Sequence, residues 1–200
     1  AMDTVPLMAT GVCTNVRAVT VERVVDAGER REPLQDKVGA GLSTEAFAEK
    51  KATGTFGHIG LRESLRMVAD GLGWSLDAVE ESLEPVQADA PVDTGYRKVD
   101  PGDVAGIHHS AEGIVGGTSR LSLDLKMYVG AESPYDAVNV DGTPPIDLRF
   151  QGGIFGDTAT VGMLVNTASL AADARPGLRT MADLPVPRAF ASQSLVDSAS

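Results

Sequence analysis

Apolar and polar residues alternate along several stretches of this chain, and the longest alternations predict strands. In residues 17–27, RAVTVERVVDA, Val19, Val21, Arg23 and Val25 fall on one face, and Ala18, Thr20, Glu22 and Val24 on the other, because successive side chains of an extended segment point to opposite sides. Residues 120–131 set Leu121, Leu123, Leu125, Met127 and Val129 against Ser122, Asp124, Lys126 and Tyr128. One buried and one polar face suits an antiparallel sheet open to water on one side. Residues 104–114, 137–142 and 146–153 read as further strands.

Helical spacing appears elsewhere. Leu61, Leu65, Val68 and Leu72 share one side of residues 61–72, with Gly73 as the stop signal. Ser43 is placed to cap a short helix, with Leu42 and Phe47 stapling its start. Residues 156–174 read as a long helix with Asp157 as N-cap, and residues 2–13 as an apolar, helix-compatible lead-in. Residues 28–42 read as a loop, and LDAVEESLEP (76–85) as a short helix or acidic connector ended by Pro85. This order predicts an α+β fold: an open, mixed, largely antiparallel sheet with helices packed on one face.

Composition narrows the function classes. Aromatics make up only 4% of the 200 residues, so the core is aliphatic. A net charge of −11 repels phosphate backbones and anionic headgroups, which argues against nucleic-acid and membrane partners. No apolar run approaches the roughly 20 residues that span a bilayer. The first residues, with Asp3 and no basic n-region, make a poor signal peptide. A single Cys13 excludes an internal disulfide, so a cytoplasmic location is the simplest expectation.

Candidate chemistry is sparse. Arg23 on a valine row either snorkels to water from the strand's end or meets a partner, since a buried guanidinium without one is costly. His58, between Gly57 and Gly60 in GHIGLRES, either packs as a helix-start residue or lines a pocket. His108 and His109 point to opposite faces of their strand and cannot share a metal, so no metal site is expected. Asn166 interrupts the stripe of Ala159, Met163 and Leu170 and needs a hydrogen-bond partner, from protein or ligand. GAGLST (39–44) begins like a phosphate loop, but it lacks the third glycine and a βαβ frame.

Read together, MDTVPLMATGVCTNV, VERVVDAGERREPLQDKVGAG, GHIGLRESLRMVADGLGW, VAGIHHSAEG and GGIFGDTATVGMLVN…RPGLRTMADLP resemble the C-terminal domain of 2,4-diaminopentanoate dehydrogenases. They are similar also to the native amine dehydrogenases and the broader dihydrodipicolinate-reductase-like proteins. The resemblance implies a substrate-binding and dimerisation domain over residues 1–190, and the low-complexity end, ASQSLVDSAS, is expected to be a flexible tail over 191–200. The family's N-terminal Rossmann domain would be absent from this chain, which would then be an excised, proteolysed or separately expressed part. NAD or NADP would bind mainly to that other domain, and no catalytic residue is expected here. By motif, Arg23, His58, His108 and Asn166 would contact a small amine or carbonyl substrate, and Asp157, Thr158 and Thr160 would approach the cofactor. His109 stands where the resemblance would place glutamine. A homodimer is expected. The alternatives are an imine reductase of the same superfamily and a stand-alone, non-catalytic ligand-binding module.

Overall fold

The computed structural model describes residues 1–189; the tail expected at 191–200 lies outside the described residues. The chain divides into two compact units, Ala1–Gly153 and Ile154–Ser200. The first contains α1 (Thr4–Thr10), β1 (Asn15–Asp26), α2 (Glu32–Lys37), α3 (Thr44–Ala52), α4 (Leu61–Gly71), β2 (Ala78–Gln87), β3 (Val92–Asp93), β4 (Lys98–Val99), β5 (Val104–Val115), β6 (Thr118–Tyr128), β7 (Tyr135–Thr143) and β8 (Ile146–Gln151). The second contains α5 (Gly156–Ala172) and a 3-10 turn, Met181–Asp183.

Six strands form an open sheet in the order β2-β5-β6-β1-β7-β8, and β3 and β4 form a separate two-stranded ribbon. Only β1 and β6 run parallel; every other neighbouring pair in the large sheet is antiparallel. The α+β, largely antiparallel architecture expected from the alternation is the one observed.

Residues opposite each other on paired strands share a face, so the register builds the core directly. Val79, Gly113, Leu121, Val19, Val140 and Ile146 form one row, and Ala111, Leu123, Val21, Val138 and Leu148 form much of the next. α4 lays Leu61, Leu65, Val68 and Ala69 on this face. α1 adds Val5 and Leu7. Each buried aliphatic side chain contributes about 1.5–3 kcal/mol through loss of apolar surface to water.

Helix ends follow their signals in most places. The Ser43 hydroxyl accepts from the Ala46 amide, and Gly73 follows α4 in the left-handed region at φ 69°. Ser43→Ala is expected to cost about 1 kcal/mol, measured as a lower urea midpoint with an unchanged slope.

Three expectations change. Residues 78–87 are an edge strand, not a helix: β2 pairs only with β5 and buries Leu83 alone, and an edge tolerates Pro85. The 28–42 segment contains a short helix, α2, with Pro33 in its first turn, where a missing N–H costs nothing. The N-cap of α5 is Phe155, and Asp157 lies inside the first turn.

Candidate functional site

One row of the covered face departs from the aliphatic pattern. Leu83, His109, Leu125, Arg23, Asp136 and Phe150 oppose one another across all six strands. Arg23 does not snorkel. Its Nη1 donates to Asp136 Oδ1 at 2.6 Å, and the two side chains are 13% and 5% exposed. The pair sits where β1 meets β7, and the charge-assisted bond offsets the desolvation of both groups.

Leu125, fully buried, separates this pair from His109 two strands away. His109 is itself buried, at 5% exposure. Its Nδ1 accepts the His58 backbone amide at 3.2 Å, and its Nε2 lies 2.9 Å from Glu81 Oε1 on β2. The other carboxylate oxygen of Glu81 accepts from Arg62 Nε of α4 at 3.3 Å. An acceptor at Nδ1 bears no proton, so the neutral ring carries its proton on Nε2 and donates it to Glu81. Burial pushes the His109 pKa down, against the pull of Glu81.

Gly57 lets the loop lie flat on the sheet. A Cβ there would come within 2.9 Å of Leu83 and 3.4 Å of His109 Nδ1, and φ is +99°. The next residue, His58, is half-buried, and its ring makes no hydrogen bond among the described residues. Burial, then Lys37, His109, Arg23 and the amino terminus, lowers its pKa to about 4. The ring is therefore neutral at physiological pH, with one donor and one acceptor available.

His108 lies on the other, open face of the sheet, with Nε2 2.5 Å from Asp124 Oδ2. The structure thus brings Arg23 and His58 to one side and places His108 behind them. On the open face, Tyr135 Oη donates to Glu22 at 2.8 Å, and the Arg149 guanidinium stands 3.6 Å from the Tyr135 ring centre. A cleft of about 700 Å³ includes Val24, Asp89, Lys126, Tyr128, Glu132 and Tyr135 in its lining, and none of the sequence-derived candidates.

The remaining candidates lie in the second unit. The Thr158 hydroxyl donates to the Phe155 carbonyl at 3.2 Å, and the Thr160 hydroxyl to Gly156 at 2.7 Å. Each keeps lone pairs for a ligand donor. Asp157 favours the helix start electrostatically, and Asn166 is half-buried.

The GAGLST segment fits no dinucleotide. The amides of Gly39, Ala40, Gly41 and Leu42 donate to the carbonyls of Asp36, Gln35, Val104 and Gly39. The N–H groups that would cradle a pyrophosphate are spent on the fold itself.

Over residues 1–198 the sequence matches the 2,4-diaminopentanoate dehydrogenase C-terminal domain. The chain belongs to that family. A 2,4-diaminopentanoate dehydrogenase of Acetoanaerobium sticklandii is 33% identical over 195 residues, covering 94% of this chain and 55% of that protein. The structure of an amine dehydrogenase from Mycobacterium smegmatis shares the fold, with a TM-score of 0.81 at 18% identity, over 94% of this chain and 57% of the other. The chain therefore spans little more than half the length of these relatives.

Asp136, Glu81 and Arg62 were not among the sequence candidates. The signal for Asp136 was indirect: a cation on a buried row demands a carboxylate of matching parity on a neighbouring strand. Glu81 was hidden because its segment does not read as a strand.

Proposed function

We propose that this chain is the substrate-binding and dimerisation part of an NAD- or NADP-dependent oxidoreductase acting on amines, by oxidative deamination or reductive amination. Family membership over residues 1–198 is the observation that carries this reading. The nicotinamide, when bound, supplies hydride exchange with the carbon bearing the amine. Its nucleotide is held by a domain outside this chain, an assignment favoured by the spent amides of GAGLST and by the greater length of the relatives.

In this reading Arg23 and His58, on the covered face of the sheet, contact the substrate. His58 is kept neutral, so it can donate to or accept from a polar group of the substrate without adding charge. Lys37 and Arg23 lie in its electrostatic surroundings, and Asp136 already engages Arg23. A dicarboxylate needs more basic groups than that, which favours a smaller amine or carbonyl compound over the substrate of an imine reductase. In the second unit, taken by itself, the half-buried Asn166 offers an amide for a polar group of the substrate. Thr158 and Thr160, whose hydroxyls are committed as donors to their own helix, offer lone pairs to donors such as a carboxamide or ribose hydroxyl, with Asp157 beside them. His108, on the open face, serves that face rather than the Arg23 side. The open face also supplies the homodimer surface. Among the described residues no helix is long and apolar enough to cross a membrane, in keeping with a cytoplasmic enzyme.

The test uses the longer polypeptide in which this chain follows a nucleotide-binding domain. Adding an amine such as 2,4-diaminopentanoate with NAD⁺ or NADP⁺ is expected to raise the absorbance of reduced nicotinamide. His58→Ala is expected to raise KM about tenfold, the loss of roughly one hydrogen bond to the substrate. No amine-dependent change with either nucleotide overturns the assignment.

A further inference from the structure

We infer that His109 is a positioning residue: its ring, oriented by Glu81, fixes the backbone amide of His58 and so sets where the His58 imidazole stands. The inference rests on the reading of His58 as a substrate-lining group and gives that group its support.

The geometry is a chain of four groups drawn from four parts of the fold. Arg62 on α4 donates to Glu81 on β2, Glu81 receives the Nε2 proton of His109 on β5, and His109 receives the amide proton of His58 in the loop. Each link fixes the next. The Glu81 carboxylate accepts only, so it selects the Nε2–H form of the ring. That form alone leaves a lone pair at Nδ1, where the loop presents an N–H. The other neutral form would set two N–H groups against each other and leave a carboxylate facing a lone pair. A Cβ on Gly57 would come within 2.9 Å of Leu83 and 3.4 Å of the same ring nitrogen, so a glycine lets the loop lie this close to the sheet. His108 exerts only a weak field from the other side of β5. Lys37 and Arg23 act on His58 rather than on His109.

A residue that merely filled this volume would be replaceable by leucine. A residue that positions His58 needs an acceptor and a donor at the spacing of the two ring nitrogens. A glutamine amide carries both, whereas leucine carries neither.

The experiment records long-range ¹H–¹⁵N spectra of the histidine rings and amide hydrogen exchange, in this chain and in His109→Leu and His109→Gln. The expected result has His109 in the Nε2–H form. Exchange at the His58 amide should be at least about tenfold faster in His109→Leu, the equivalent of one lost hydrogen bond, and close to the original rate in His109→Gln. An Nδ1–H ring in the unsubstituted chain overturns the inference without any variant having to fold. So does an exchange rate at His58 that is the same in all three proteins. A titration with 2,4-diaminopentanoate, followed on the His58 ring signals, separates the two readings. Weaker binding in His109→Leu, restored in His109→Gln, supports both. If the exchange pattern holds and the amine leaves His58 unmoved, the positioning stands and the substrate-lining role of His58 falls.

Discussion

Asp136→Ala is expected to lower the unfolding free energy of the chain by about 3–5 kcal/mol. The substitution takes the carboxylate 2.6 Å from Arg23 and leaves a guanidinium at 13% exposure without it. The cost combines the lost charge-assisted bond with the poorer solvation of the guanidinium that remains. Two further variants separate these contributions. Asp136→Asn keeps an acceptor and should cost less than alanine. Arg23→Met combined with Asp136→Leu removes both charges into a row that already contains Leu125 and Phe150, and should come within about 1–2 kcal/mol of the original protein or exceed it. Urea unfolding of these proteins, together with the single Arg23→Met and Asp136→Leu replacements, gives the coupling. If the double replacement loses as much as the two single ones added together, the pair is not a unit and this account of Arg23 fails.

Acid should weaken the fold well above the range in which carboxylates titrate. His58 has a pKa of about 4 in the folded chain against an ordinary 6.5. The unfolded chain then binds a proton that the folded chain refuses, so stability increases with pH across that window. Stability is fully present above about pH 6.5, declines as pH falls, and has lost about 3 kcal/mol from this group by about pH 4, at 1.36 kcal/mol per unit. His109, whose pKa is also lowered by burial, acts in the same direction. Unfolding free energies at about pH 7.5, 6 and 5 provide the slope. His58→Asn should remove roughly one proton's worth of it. Parallel slopes in the two proteins would mean that His58 is not held neutral by its surroundings.

The parts of the structure that could be read beforehand are those in which one face is buried and the other wet. β1 and β6 alternate cleanly because their valines and leucines meet α1 and α4 on one side and water on the other. β2 does not, since an edge strand with only Leu83 buried has no apolar row to display, and its three glutamates favour a helical reading. Arg23 was identifiable as an anomaly on the valine row. Its solution was not, because Asp136 reaches it only once β7 has come to lie antiparallel beside β1. The alignment of His109 with Ile107 and Ala111 was visible in the alternation of β5. The link from Arg62 through Glu81 and His109 to His58 depends on two strand registers and a helix position, none of which is encoded locally. His109 also explains how the chain departs from the glutamine expected there: a neutral imidazole with its proton on Nε2 offers the same acceptor and donor as an amide.

The placement of β1 has a consequence for synthesis. This strand is synthesised well before both its neighbours, which begin at Thr118 and Tyr135. Until they arrive, a valine-rich ribbon waits with two open edges, ready to pair with the wrong chain. Closure across such sequence distances is slow, so the yield of native molecules should depend on how crowded the nascent chains are and on whether a chaperone shields that ribbon.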